Sequence, residues 1–322
     1  MKLGVFTNLF RDIALDDMLA KAKALGIETI ELGSGGYNSK NHCAPEKLLA
    51  DEKALEAFKA TFEKHGMDIC ALSVHGNPIH PDKAIAKAFH DDFINTVLLA
   101  EKLGIDTVIT FSGCPGGSPE DKTPNWVTCP WPDDFLKVLD YQWNEVLIPY
   151  WKETGAFAKA HGVTKIAFEL HPGFCVYNPE TLLRLRTEVG DVIGANFDPS
   201  HLIWQGIDPV AAIRELEGAI YHFHAKDTKV DKYNTSKNGV LDTKHYGDEL
   251  HRSWIFRTVG YGNGLEFWRD MISNLRLVGY DKVMSIEHED SLMTTDEGLI
   301  HAIEFLKDSM IKEPKPTSMH WA

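Results

Sequence analysis

Four short apolar segments of the sequence each end in a side chain that can bind a metal ion. An apolar strand normally buries hydrocarbon, whereas a buried and unpaired carboxylate is costly, and a bound cation is the usual compensation. Three carboxylates and one imidazole form an oxygen-rich set that suits Mn²⁺ best, with Mg²⁺, Co²⁺ or Zn²⁺ also possible. We therefore predict that one divalent ion is bound by four residues: Glu169, Asp198, His224 and Glu287.

Three further histidines follow apolar segments and are expected close to this ion. His171 and His201 come two and three residues after Glu169 and Asp198, respectively, which places them near whatever the metal holds. His201 is the better candidate for substrate contact, and it is also a candidate catalytic group. His75 either points towards the same site, as a substrate-binding or catalytic group, or caps a loop.

A second layer of polar residues is expected around the ligand histidine. His222, His224 and Lys226 share one strand face, because side chains alternate along a strand. We place Lys226 at the rim. His222 either supports His224 or, as we favour, is a core histidine bonded to backbone. Glu31 ends another apolar segment, where it binds a substrate hydroxyl or braces Lys226.

These residues must be positioned by an alternation of short strands and longer amphipathic helices. The helical patterns include Leu15–Leu25 and Glu52–His65, and a glycine just past several helices can close their last turn. Eight repeated βα units predict one (β/α)8 TIM barrel, residues 1–322, with 309–322 as a C-terminal tail. The candidate strands are Leu3–Thr7, Thr29–Leu32, Asp68–His75, Thr107–Ser112, Lys165–His171, Val192–Asp198, Ala219–Lys226 and Lys282–Glu287.

Two connections that follow strands are much longer than the others. They run from Gly113 to about Asp134 and from Asp227 to about Asn263, and both belong on the C-terminal face, where such barrels hold their active sites. The first is rich in proline, glycine and tryptophan. It is either a lid that brings Trp126 or Trp131 to the substrate or a surface decoration, and we favour the lid.

Composition limits the partners that we expect. A formal net charge of −14 disfavours nucleic acid, whose phosphates require clustered Lys and Arg. Five cysteines without a CxxC pair are typical of a reducing compartment, and no apolar run approaches the ~20 residues that span a bilayer. We expect a cytoplasmic protein that contacts neither nucleic acid nor membrane.

The strand-end residues resemble those of the xylose-isomerase-like barrel superfamily of sugar phosphate isomerases and epimerases. The similarity extends to about Asp308. It rests on Glu169, on Asp198 within an Asp-x-x-His phrase that includes His201, on His224 in a His-x-His phrase, and on Glu287. The resemblance implies metal-dependent chemistry on a sugar, with the two glutamates also acting as acid and base. The phrase from Phe256 to Gly262 resembles the family's Arg and Gly-x-Gly turn, which implies that Arg257 reaches a substrate oxygen.

Several activities remain compatible with this resemblance. We favour a sugar or cyclitol isomerase or epimerase, which removes a proton next to a metal-polarised carbonyl. The alternative is a lyase, either an inosose-type dehydratase or a subunit that cleaves 3-keto C-glycosides. An apurinic endonuclease and a non-catalytic or partner-dependent subunit are both less favoured. For the endonuclease, we cannot place a full set of ligands for three zinc ions in this sequence. We expect a homo-oligomer, or otherwise a hetero-oligomer with a small subunit.

Overall fold

Eight parallel strands close into a barrel in the computed structural model, which describes residues 1–316 and 318. Going around it, the order is β1, β10, β7, β6, β5, β4, β3, β2, and the pairing of Lys2 with Val283 and of Gly4 with Thr29 closes the ring. The barrel strands are β1 (Lys2–Phe6), β2 (Thr29–Gly33), β3 (Asp68–Ser73), β4 (Thr107–Thr110), β5 (Lys165–Glu169), β6 (Ile193–Phe197), β7 (Ile220–Ala225) and β10 (Val283–Ile286). The predicted TIM barrel is confirmed.

Six of the eight observed strands are two residues shorter than predicted, and all six end earlier than predicted at the carboxyl end. β3 ends at Ser73 and β5 at Glu169, so that His75 and His171 lie beyond the hydrogen-bonded ladder. Asp198 follows β6 and instead begins a helix, whose Ser200 amide donates to Asp198 Oδ1 at 2.8 Å. The side chains predicted to do chemistry thus leave the sheet at the mouth of the barrel.

Helices surround the strands and bury their apolar faces against them. Glu52–His65 forms as predicted, and Gly66 closes it in the left-handed conformation at φ 60°. Short non-α turns occur at Thr7–Phe10 (3₁₀) and Tyr141–Leu147 (π). The α-helices are Leu15–Ala24, Pro45–Ala50, Glu52–His65, Lys83–Leu103, Asp134–Asp140, Ile148–Ala160, Pro179–Val189, Pro199–Trp204, Pro209–Glu215, Lys232–Asn238, Leu265–Leu277 and Thr295–Ser309.

The segment between β7 and the helix at Leu265 is an ordered excursion, although we expected a long loop. Its strands β8 (Asp227–Val230) and β9 (Trp254–Arg257) pair antiparallel, with the helix Lys232–Asn238 between them. Trp254 stacks on Trp204 with a centroid separation of 4.5 Å, which packs the excursion against the helix after β6. The excursion therefore forms a fixed wall at the mouth.

The C-terminal segment leaves the barrel after Ser309. Ile311 still packs near the N-terminus, since its carbonyl accepts a hydrogen bond from the Met1 amine at 3.3 Å. Thr317 and Met319–Ala322, which belong to the predicted tail, lie outside the described residues. Over the described part of the chain, no helix has the length and hydropathy needed to cross a membrane.

Candidate metal centre

The four predicted ligands converge at the mouth of the barrel. Glu169 ends β5, Asp198 follows β6, His224 lies in β7 and Glu287 follows β10. One ligand atom from each lies within 4.8 Å of the other three. Parallel strands bring their carboxyl ends to the same rim, so residues that are 118 positions apart in the sequence reach one point.

Two of the carboxylate oxygens are buried and lack a well-directed hydrogen bond. Among the described residues, Asp198 Oδ2 and Glu287 Oε2 accept no hydrogen bond of good geometry, although the Lys226 ammonium lies 3.1 and 2.9 Å from them. Both Asp198 and Glu169 are buried, with 1% and 2% of their surface exposed. Buried polar atoms normally have a hydrogen-bond partner, and two buried carboxylate oxygens that have only ionic neighbours, close to a histidine nitrogen, fit a divalent cation.

His224 is held by a carboxylate that fixes which nitrogen faces the other ligands. Its Nε2 lies 2.9 Å from Glu31 Oε1, while its Nδ1 lies 3.2 Å from Glu169 Oε2 and 3.1 Å from Glu287 Oε2. Phe6 stacks on the imidazole at 5.7 Å. A metal would therefore meet Nδ1, since a ligand histidine typically donates its other nitrogen to a carboxylate.

Glu31 has a different role from the two that we predicted. Its oxygens also receive His222 Nε2 at 2.8 Å, Ser73 Oγ at 2.5 Å and Ser285 Oγ at 2.6 Å. Burial raises the pKa of Glu31, but the two histidines outweigh it and hold that pKa well below the ordinary value. Glu31 is thus an enclosed acceptor, out of reach of substrate and of Lys226. His222 bonds to this carboxylate and not to backbone, so its favoured interpretation was wrong.

Lys226 is buried at the centre of the site and not at the rim. Only 2% of its surface is exposed, and its Nζ lies 3.1 Å from Asp198 Oδ2, 2.9 Å from Glu287 Oε2 and 3.0 Å from Glu289 Oε2. Burial lowers the pKa of Lys226, but these carboxylates outweigh it and raise the pKa well above the usual range. Alternation along β7 already placed Lys226 on the face of His224, and that face points inward.

The pKa values of the three candidate ligand carboxylates are also shifted by burial and by their charged neighbours. Burial raises the pKa of Glu287, but Lys226 and His224 outweigh it and lower the pKa to about 2. Burial likewise opposes ionisation of Glu169, yet hydrogen bonds from His201, His224 and other neighbours hold its pKa well below normal. For Asp198 burial prevails, and its pKa is raised.

His75 and His201 bind the two oxygens of Glu169 from opposite sides. His75 Nε2 lies 3.0 Å from Oε2, and His201 Nε2 lies 3.0 Å from Oε1. Asn38 Nδ2 lies 2.8 Å from His75 Nδ1, which fixes that ring. His171 packs on His201 with ring centroids 4.1 Å apart, and burial lowers the pKa of both. The structure thus places all three histidines beside Glu169.

Two predicted substrate contacts lie away from the open mouth. Arg257 Nε donates to Asp290 Oδ2 at 3.0 Å, and its side chain does not line the mouth. Trp126 packs edge-on against Tyr177 at 5.5 Å and lines a separate cavity of about 210 Å³. Trp131 is 75% exposed. Neither Trp126 nor Trp131 lines the two cavities above the candidate ligands.

Two adjoining cavities open above the ligands. A polar one of about 350 Å³ contains Glu287, Asn8, Arg11 and Ser39 in its wall. The other, of about 550 Å³, is lined mainly by aromatic side chains that we did not predict as site residues: Tyr37, Phe111, Phe174, Tyr246 and Phe256. Tyr37 and Glu289 belong to both walls. Phe174 follows His171 by three residues in the sequence. This short spacing could have indicated that Phe174 lies in the wall of the same site.

Comparison with known proteins identifies the family. The family model "Xylose isomerase-like TIM barrel" matches residues 19–309. The chain belongs to this family. It is 41% identical over 312 residues to the uncharacterized protein YfiH of Bacillus subtilis, covering 96% of this chain and 99% of that protein. The family resemblance inferred from the strand ends is therefore confirmed.

Solved structures share the fold at much lower identity. A probable 3-DHS dehydratase, AsbF of Bacillus anthracis, has a TM-score of 0.64 at 17% identity and covers 95% of this chain and 99% of its own. A D-tagatose 3-epimerase-like protein has a TM-score of 0.63 at 18% identity, covering 96% and 98%. IOLI protein with a bound zinc atom has a TM-score of 0.63 at 19% identity, covering 96% and 98%. These likenesses show a common barrel.

Proposed function

We propose that this protein is a divalent-metal-dependent isomerase or epimerase of a sugar or cyclitol, and that it acts by proton transfer next to a carbonyl. The observation that carries the proposal is the convergence of one atom each from Glu169, Asp198, His224 and Glu287 within 4.8 Å. A zinc-bound family structure and an epimerase-like structure with the same fold support it.

The donor set supports a single hard cation, for which we propose Mn²⁺, with Mg²⁺, Co²⁺ or Zn²⁺ as substitutes. Three carboxylates and one imidazole provide mostly oxygen ligands. When bound, such an ion acts as a Lewis acid that polarises a substrate carbonyl. Two other groups of possible ligands share residues with this one, Glu31–His222–His224 and Glu169–His171–His201, and so are not separate sites.

The two glutamates are suited to move protons at two positions of the substrate. Around the barrel, β5 and β10 are separated by β6 and β7, so Glu169 and Glu287 approach from different sides. One removes the proton next to the carbonyl, and the other returns a proton to the opposite face or to the neighbouring carbon. His75 and His201 orient Glu169 through both of its oxygens, and are the alternative acid–base groups.

A lyase is the second candidate, and the aromatic cavity favours it. The same proton removal can expel a group from the β-position if the substrate carries one. A cavity of about 550 Å³ beside the polar cavity leaves room for a leaving group larger than hydroxyl. The probable 3-DHS dehydratase with the same fold also supports this alternative.

Solvent deuterium exchange tests the proposal, because it reports removal of the α-proton whatever follows. The Mn²⁺-loaded protein is incubated in D₂O with ketoses, inososes and 3-keto glycosides. We expect deuterium at the carbon next to the carbonyl, together with an epimer or isomer. Deuterium with loss of water or aglycone would instead establish the lyase. No exchange with any of these substrates would contradict both.

Two measurements separate the remaining alternatives. A metal content near one ion per chain supports the proposal, whereas three ions would favour an endonuclease. Deuterium exchange catalysed by the purified chain alone supports an enzyme that needs no second polypeptide. This result agrees with the homo-oligomer that we propose. Exchange that appears only with a second polypeptide would indicate a hetero-oligomer.

A further inference from the structure

We propose that the aromatic cavity is a subsite for an apolar substituent, preferably an aromatic ring, carried by an unphosphorylated sugar or cyclitol. The subsite is defined by Tyr37, Phe111, Phe174, Tyr246 and Phe256. This inference rests on the proposed function, since it takes the polar cavity beside Glu287 as the position of the carbohydrate.

Of the two cavities above the candidate ligands, one is lined mainly by polar side chains and the other mainly by aromatic side chains. The polar cavity offers side chains that can bind hydroxyl groups, including Asn8, Ser39 and Glu287. The aromatic subsite offers these groups few partners, so a polyol placed there would lose hydrogen bonds to water without replacing them. An apolar substituent gains from the same surroundings. Tyr37 and Glu289 line both cavities, so one molecule can extend from one into the other.

The aromatic walls are continuous with the histidines beside Glu169. Phe111 lies 5.0 Å from His171, His171 lies 4.1 Å from His201, and His201 lies 5.3 Å from Phe256, all between ring centroids. His201 in turn contacts Glu169. The subsite therefore begins one ring away from Glu169.

Two stacked ring pairs form opposite ends of this arc. Phe174 stacks on Phe111 at 4.2 Å with an interplanar angle of 18°. Tyr246 stacks on Phe256 at 5.9 Å with an angle of 21°. Flat walls of this kind favour a flat group, because aromatic rings gain from stacking and edge contacts beyond their buried area.

The charges around the cavities disfavour a phosphorylated substrate. Among the described residues, the wall of the aromatic subsite contains neither Lys nor Arg, and its one charged residue is Glu289. The polar cavity has three carboxylates, Asp12, Glu287 and Glu289, against the single guanidinium of Arg11. Lys226 is already paired with three carboxylates. Phosphate recognition requires the opposite balance.

The test compares three probes: methyl 3-keto-β-D-glucopyranoside, its phenyl analogue, and the 6-phosphate of the methyl compound. Dissociation constants are measured by calorimetry with the Mn²⁺-loaded protein, and deuterium exchange is measured in parallel. We expect the phenyl compound to bind at least about tenfold more tightly than the methyl compound, because it buries several more apolar carbons. We expect the phosphate to weaken binding.

Two substitutions locate this preference in the subsite. Tyr246→Ala and Phe174→Ala should reduce the phenyl-to-methyl ratio of affinities towards one, whereas Phe174→Leu, which keeps apolar bulk, should retain part of it. Tyr246 is 53% exposed, so its loss should leave the fold intact. Tyr233, which is 75% exposed and outside both cavities, supplies the control, and Tyr233→Ala should keep the full ratio.

Phenyl and methyl affinities within about twofold of each other, or tighter binding of the phosphate, would overturn the subsite. The phenyl preference tests the subsite, whereas deuterium exchange tests the proposed function, so the two can fail separately. Exchange on the methyl compound without a phenyl preference leaves the function standing and removes the subsite. A phenyl preference that Tyr246→Ala abolishes, without exchange on any probe, establishes the subsite and removes the enolate chemistry.

Discussion

Glu31 shows how one buried carboxylate can organise the ligands above it. It receives two histidines and two serine hydroxyls, and through His224 it decides which imidazole nitrogen faces the other ligands. We expect Glu31→Gln to weaken Mn²⁺ binding by ~10–100-fold. The glutamine amide has one acceptor oxygen in place of two, and its NH₂ group would face the donors of the histidines and serines. Calorimetric titration of the metal-free protein measures this loss. The exposed Glu52 provides the control, and an unchanged affinity in Glu31→Gln would refute the role.

Glu287 is proposed both as a ligand and as a proton-transfer group. Glu287→Gln keeps an oxygen for the ion but cannot accept a proton. At saturating Mn²⁺, deuterium exchange should therefore fall by ~10²–10⁴-fold, the usual contribution of general acid–base catalysis. If excess Mn²⁺ restores exchange to the wild-type rate, Glu287 is only a ligand, and proton transfer belongs to Glu169 or to a histidine.

Lys226 places a permanent cation beside two ligand oxygens, at 3.1 Å from Asp198 and 2.9 Å from Glu287. We expect Lys226→Met to destabilise the metal-free protein, since it leaves buried carboxylates without a partner. It should also increase the rise in melting temperature that Mn²⁺ produces, because the ion no longer meets a neighbouring positive charge. Thermal unfolding with and without Mn²⁺ measures both effects, and exposed Lys83→Met is the control. A smaller rise than in the wild type would contradict this account.

At the scale of elements, Asp227 fastens the excursion that forms one wall of the mouth. Its carboxylate accepts N–H groups of Gly260, Gly262, Asn263 and Trp268 at 2.7–3.2 Å. We expect Asp227→Ala to lower the free energy of unfolding by about 3 kcal/mol, since several buried donors lose their acceptor.

A second aspartate of the excursion gives the comparison for this prediction. Asp231 caps the helix Lys232–Asn238 by accepting from the Asn234 amide at 2.7 Å, and its removal should cost only about 1 kcal/mol. Urea unfolding compares the two variants, and hydrogen exchange of β8 and β9 reports whether the excursion opens. Equal losses in the two variants would show that Asp227 is an ordinary cap.

At the scale of the whole molecule, the barrel and the convergence of the four candidate ligands could be predicted because their signals are local. Most strands are short apolar runs, and each candidate ligand stands at or near the carboxyl end of one. The contact of Glu31 with His222 could not be predicted in the same way. Their strands, β2 and β7, are separated around the barrel by β1 and β10, and no local sequence pattern specifies a contact across the barrel interior.

The errors have the same physical origin. The pairing of Asp227 with Arg257 joins residues 30 positions apart, so the excursion looked like a loop. Lys226 was placed at the rim because lysine is usually solvated, whereas three carboxylates that follow β6 and β10 compensate for its burial here. Trp126 was selected for its residue type, but its position depends on packing against Tyr177.

Anomalous diffraction from crystals soaked in Mn²⁺ tests the central claim most directly, because it locates the ion without reference to activity. We predict one strong peak per chain, at ~2.0–2.6 Å from Glu169, Asp198, His224 Nδ1 and Glu287. A peak among Glu31 and His222 instead, three peaks at the mouth, or no peak from a protein saturated with Mn²⁺ would contradict the account.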